Sequence, residues 1–155
     1  MLELQTESAA ETQELGEKLG LLLRPGDVVR LEGDLGAGKT TMAQGICRGL
    51  SVDEPVTSPT FAIMHHYNGK YPVYHIDAYR IESELELEEL GLEEFLEGDG
   101  VSLVEWAKNI ISIMPSTYLV VEIKIPQANP ESRLITFSSE GAQEAFEYLL
   151  KELAD

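Results

Sequence analysis

A single cysteine, Cys47, stands among the 155 residues, so no disulfide can close within the chain. That absence fits a reducing compartment, and the cytoplasm is the expected location. Cys47 itself reads as a small buried apolar residue on a helix. Positive charge is also scarce: 11 Lys and Arg stand against 28 Asp and Glu, a formal net charge of -17. A surface of that sign repels phosphate backbones, which argues against direct, independent nucleic-acid binding. It favours a basic protein surface as the charged partner. No apolar run approaches the roughly 18 residues that a membrane-spanning helix needs. The opening Met1-Leu2-Glu3-Leu4-Gln5-Thr6 lacks the basic start and apolar stretch of a signal peptide, so no membrane association is expected. Repeats, low-complexity tracts and an Asn-Lys-x-Asp guanine-reading motif are all missing.

What is present is ordinary globular composition, 43% hydrophobic and 25% charged, in a length that suits one domain spanning 1–155. Residues 8–23 read as an amphipathic helix, with Ser8 and Glu11 spaced as a capping box. Val28 to Glu32 reads as a strand and Lys39 to Leu50 as a helix. Phe61 to Tyr67 and Tyr71 to Tyr79 read as two strands joined by a tight Asn68-Gly69 turn. Residues 82–97 hold eight glutamates among leucines, a pattern of two short helices divided at Gly91. Further strands are expected at Val101 to Val104, Tyr118 to Ile125 and Arg133 to Phe137, and a closing helix at Ala142 to Leu153. The order of elements predicts an α/β fold with a mixed central sheet.

Gly33-Asp34-Leu35-Gly36-Ala37-Gly38-Lys39-Thr40 lies between the first of these strands and the helix that follows it. Strand, glycine loop and helix in that order form a P-loop, in which backbone N–H groups and the helix N-terminus face phosphates. Lys39 would reach the β- and γ-phosphates, and the Thr40 hydroxyl would ligate Mg²⁺. By chance, Gly-x4-Gly-Lys-Thr arises in a chain this long on the order of one time in two hundred. A nucleoside triphosphate is therefore the expected ligand, and the missing guanine motif argues against GTP.

Hydrolysis also needs groups to hold the metal and orient water. Val101-Ser102-Leu103-Val104-Glu105 has the form of a Walker-B strand, with Glu105 in place of the commoner Asp; a solvated carboxylate at a strand end is the other reading. Trp106 is a packing residue that would lie near the nucleotide. On a strand, His75, Asp77 and Tyr79 share one face. Either that face is the exposed side of an edge hairpin, or Asp77 orients the attacking water or holds a metal-bound water. Thr57-Ser58-Pro59-Thr60 occupies the place of a switch segment that senses the γ-phosphate, or is a plain turn before a strand.

Together, Gly-Asp-Leu-Gly-Ala-Gly-Lys-Thr-Thr at 33–41, Ser-Pro-Thr-Phe at 58–61, His-x-Asp-x-Tyr-Arg at 75–80 and Val-Glu-Trp at 104–106 resemble the TsaE (YjeE) family. That family is the bacterial ATPase of tRNA threonylcarbamoyladenosine biosynthesis, and the likeness runs from about residue 8 to residue 137. It implies a three-layer, P-loop NTPase-like domain that binds ATP and Mg²⁺ and hydrolyses ATP slowly until stimulated by partners. Those partners are TsaD and TsaB, which place a threonylcarbamoyl group on an adenosine of tRNAs reading ANN codons; tRNA is reached only through them. By the resemblance, residues 33–41 and Arg133 serve the nucleotide, Thr40 and Glu105 the metal, and Lys39, Asp77 and Glu105 hydrolysis. The segment from Thr6 to Thr12 matches a part that approaches the adenine. Ala107 departs from many relatives. Two other functions fit a P-loop: a small-molecule kinase, which the five unclustered arginines disfavour, and a nucleotide-gated interaction module that does not need hydrolysis.

Overall fold

A computed structural model describes all of Met1–Asp155. In chain order the elements are β1 (Leu2–Thr6), α1 (Ala9–Leu22), β2 (Val28–Glu32), α2 (Lys39–Gly49), β3 (Met64–Asn68), β4 (Pro72–Asp77), α3 (Glu84–Leu90), α4 (Leu92–Leu96), β5 (Val101–Glu105), β6 (Tyr118–Lys124), β7 (Arg133–Glu140) and α5 (Glu147–Ala154). Short 3-10 turns cover Ala107–Ile113 and Gln143–Phe146.

The strands form one seven-stranded mixed sheet in the order β1-β7-β6-β2-β5-β4-β3. Its four middle strands, β6, β2, β5 and β4, run parallel, and antiparallel strands flank them on both sides. Every residue of β5 is buried, as expected of a parallel strand covered on both faces. Alternate side chains feed two cores. Leu31, Val73 and Leu103 join α1, α2 and α5 on one face, while Ile76 and Val104 join α3, α4 and the 107–113 turn on the other. Because the middle strands are parallel, their carboxyl ends gather along one edge, where α/β sheets hold ligands.

Local chemistry starts and stops the helices. Ser8 Oγ accepts the Glu11 N–H at 3.1 Å and opens α1, and Glu11 reaches back to the Glu7 N–H at 2.7 Å. Gly91, at φ 65°, ends α3 and opens α4 as its position in the sequence predicts. α1 packs on α2 through Gly16, Gly20, Gly45 and Gly49. A Cβ at Gly20 would collide with the Ile46 carbonyl oxygen, and one at Gly49 with that of Glu17.

One strand lies outside those expected, and three expectations need correction. β1 alternates Leu2 and Leu4 with Glu3 and Gln5 and pairs antiparallel with β7, Leu4 opposite Ile135. The strand expected from Phe61 begins only at Met64, because the Pro59 carbonyl takes the N–H groups of Ala62 and Ile63 and closes a turn first. The strand expected to reach Tyr79 stops at Asp77, whose side chain accepts the Tyr79 N–H at 3.0 Å. The hairpin turn spans Gly69–Tyr71 rather than Asn68-Gly69. Gly69 serves close approach, since a Cβ there would meet the Leu50 carbonyl oxygen at the end of α2.

Candidate functional site

The loop after β2 has the backbone that its glycines permit. Gly36 and Gly38 lie in the left-handed region at φ 84° and 114°, which costs a side-chain-bearing residue strain. A Cβ at Gly33 would come within 2.9 Å of the Ile123 carbonyl oxygen on β6. Gly38 is also the N-cap of α2 and supplies no side-chain acceptor, so the first N–H groups of that helix stay free for an anion. Leu35 stands at the loop tip, 99% exposed.

The parallel register decides where the acids lie. Asp77 at the end of β4 is opposite Glu105 at the end of β5, and Glu105 is opposite Leu31 on β2, two residues before the loop. Both carboxylates are buried, each 4% exposed. Lys39 Nζ stands 3.9 Å from Glu105 Oε1, and His75 Nε2 stands 2.7 Å from Glu105 Oε2. Asp77 is also held on both oxygens: Thr60 Oγ1 donates to Oδ2 at 3.0 Å and the Tyr79 N–H to Oδ1. The exposed-hairpin reading of His75 and Asp77 and the solvated reading of Glu105 are thereby excluded.

A cleft of about 660 Å³ collects these groups. Gly33, Asp34, Leu35, Gly36, Gly38, Lys39, Thr40 and Thr41 line one wall; Ser58, Thr60, Asp77, Glu105, Tyr79 and Trp106 line the rest. Four residues singled out from sequence lie outside it. Ala37 is buried behind the loop. The Thr57 carbonyl turns away toward His65 and Tyr67. Pro59 is buried, its carbonyl closing the turn into β3. Arg133 braces the loop from outside, Nε donating to the Ala37 carbonyl at 2.7 Å and Nη1 to those of Pro130 and Ser132. It lines a smaller hollow with Ala9, Thr12 and Thr41.

Trp106 takes a left-handed φ of 59° directly after Glu105, and its ring packs 4.8 Å from that of Tyr79 and 5.5 Å from Lys39 Nζ. Tyr79 was visible from sequence only as a face-mate of Asp77. With the strand ending at Asp77, it swings to the mouth of the cleft, and Asn109 steadies the turn by donating to the Ala78 carbonyl at 3.0 Å. His75 is the residue to which the sequence pattern gave no role. Its parity with Asp77 was legible, its partner was not.

The donor set suits a magnesium ion that completes its shell with phosphate. No group of three His, Cys, Asp or Glu side chains is arranged to hold a metal. Thr40 and Glu105 share one cleft beside the glycine loop, and Mg²⁺ is commonly bound by one or two protein oxygens plus nucleotide phosphates.

Comparison with known proteins bears on the family and the fold. The family model described as "Threonylcarbamoyl adenosine biosynthesis protein TsaE" matches residues 6–135. A tRNA threonylcarbamoyladenosine biosynthesis protein TsaE from Bacillus subtilis is 44% identical over 154 residues, covering 99% of this chain and 94% of that one. Its namesake from Nostoc is 42% identical, covering 86% and 77%. The one from Rickettsia bellii is 34% identical, covering 90% and 98%. A crystal structure of Bacillus subtilis YdiB superposes with a TM-score of 0.82 at 37% identity, over 99% of this chain and 93% of that one. With the family model spanning most of its length and the same fold in a solved relative, the chain belongs to the TsaE family.

Proposed function

We propose that this chain is a Mg²⁺-dependent P-loop ATPase of tRNA threonylcarbamoyladenosine formation, acting with TsaD and TsaB and not catalysing the group transfer itself. The observation that carries this reading is the convergence of Lys39, Glu105 and Asp77 beside the glycine loop, brought about by the β2-β5-β4 register.

The residues divide the work by their chemistry. N–H groups of residues 33–41 and the start of α2 cradle the phosphates, and the Lys39 ammonium balances charge on the β- and γ-phosphates. Mg²⁺, when bound, neutralises phosphate charge and polarises the bond to be broken. Thr40 and Glu105 are the residues that would hold it. Asp77 lies across the cleft from the loop, where it orients the water that attacks the γ-phosphate. Thr60 reports on that phosphate, because its hydroxyl is already bonded to Asp77. Arg133 fixes the loop through the Ala37 carbonyl and adds positive charge on the adenine side, near Thr12.

A nucleotide-gated module is the second reading. It is favoured by Leu35 and Phe61, 99% and 88% exposed, which lie on the loop and beside the switch segment. Turnover decides between the two. ATP hydrolysis by the chain should be slow alone and rise well above that level with saturating TsaD–TsaB, and tRNA threonylcarbamoylation over many cycles should require it. Lys39→Ala should lower hydrolysis by ~100-fold or more, in the range seen when one charge-stabilising group is removed. Unchanged hydrolysis in that variant would overturn the site; full modification supported by it would favour gating by occupancy.

A further inference from the structure

The geometry points to His75 as a positioning residue that fixes the orientation of Glu105. His75 is fully buried at 0% exposure, on the side of β4 that also carries Val73 and Asp77. It lies opposite Leu103 in the parallel register, so its ring reaches along β5 to Glu105 two residues on. Nε2 stands 2.7 Å from Glu105 Oε2, while Nδ1 has no hydrogen-bond partner and is shut off from water.

A carboxylate oxygen accepts only, so the hydrogen bond is donated by His75 Nε2. His75 is thus a fixed donor to Glu105, held by burial on every side.

A donor held that way takes up one oxygen of Glu105 and leaves the other, Oε1, facing Lys39 Nζ at 3.9 Å and the cleft. The carboxylate therefore offers a single oxygen in one orientation. Left unbound, it could rotate and close directly on the Lys39 ammonium, withdrawing both charges from the phosphates. An apolar side chain would fill this buried position without leaving an unpartnered nitrogen. The orphaned Nδ1 is a cost that the bond to Glu105 explains.

The inference rests on the nucleotide-site reading and has its own test. In Gln, the amide nitrogen lies as many bonds from Cβ as Nε2 does in His; in Asn it lies one bond shorter, where Nδ1 sits. ATP turnover and the Mg²⁺ dependence of ATP affinity, read by calorimetry, would be compared in the full chain and in His75→Gln, His75→Asn and His75→Leu. Expected is a ~10- to 100-fold loss of kcat in the Asn and Leu variants, the usual scale for losing the group that orients a metal-binding side chain. The gain in ATP affinity on adding Mg²⁺ should shrink in those two, affinity without Mg²⁺ should not change, and the Gln variant should recover most of both. Equal impairment of all three variants in step with lowered Tm would overturn the inference and leave His75 structural. So would a Leu variant that turns over and responds to Mg²⁺ normally. Absence of ATP binding by the unaltered chain would instead bring down the nucleotide-site reading itself.

Discussion

Ile63 is a β-branched residue at φ 69°, a conformation that costs on the order of 1–3 kcal/mol and survives only where the surroundings enforce it. Its neighbours do so. The Ile63 N–H donates to the Pro59 carbonyl at 2.6 Å, the Asp77 N–H donates to the Ile63 carbonyl at 2.7 Å, and the Thr60 hydroxyl is bonded to the Asp77 carboxylate. The segment before β3 is thus latched to Asp77 by backbone and side chain together, with strain stored in the turn. Release of the Thr60 hydroxyl toward a γ-phosphate would free one oxygen of Asp77 for water. Thr60→Val keeps the shape of the side chain and removes the hydroxyl. It should lower ATP turnover by ~10-fold while ATP affinity stays within ~2-fold, the pattern of a group used in the transition state. Steady-state kinetics beside a binding titration checks this, and turnover equal to the unaltered chain would mean that the latch has no part in hydrolysis.

Among the elements, the pair α1 and α2 is the most sensitive, because α2 carries Lys39 and Thr40 at its first turn. The two helices approach backbone to backbone through Gly16 and Gly20 on one and Gly45 and Gly49 on the other, each pair four residues apart. Alanine would favour either helix by its own propensity, about 1 kcal/mol over glycine. At Gly20, however, the added methyl collides with the Ile46 carbonyl, and overpacking of this kind costs about 1–3 kcal/mol. Gly20→Ala should therefore destabilise the protein on balance. Cys47, buried on α2, reports on it: burial pushes its thiol up to about 12, so alkylation at neutral pH requires the helix pair to open. Faster iodoacetamide labelling and a lower Tm in the variant are the expected results; labelling at the unaltered rate would show that the helices shift apart without loss.

At the scale of the molecule, the charge of -17 sets how the protein meets others. Self-repulsion of that size is screened by salt, so Tm should rise between ~20 mM and ~300 mM NaCl, opposite to what a fold held by surface ion pairs would show. The same surface should keep tRNA away. In a filter-binding assay at ~50 mM salt, tRNA should be retained with TsaD–TsaB present and not by this chain alone. Retention by the isolated chain at micromolar concentration would contradict the indirect route to tRNA. No helix is long and apolar enough to cross a membrane.

How much of this could be read from residues alone follows from the range of the forces involved. Residues 33–40 announce a phosphate loop because glycine, lysine and threonine spacing dictates local backbone and charge, and the flanking β2 and α2 are set by their own apolar patterns. Ser8 and Gly91 mark helix ends for the same local reason. The alternation of Leu2 and Leu4 with Glu3 and Gln5 is a local strand pattern, but the strand that β1 pairs with, β7, lies more than a hundred residues away in sequence. Asp77 and Glu105 could each be singled out, but whether they were solvated or joined depended on the parallel register of β4 and β5, which no local pattern encodes. His75 depended on it further still, since its partner lies thirty residues on. The sequence by itself determined a glycine loop with the spacing of a phosphate cradle; only the tertiary structure decided which acids stand beside it, because register and burial arise from contacts between strands distant in the chain.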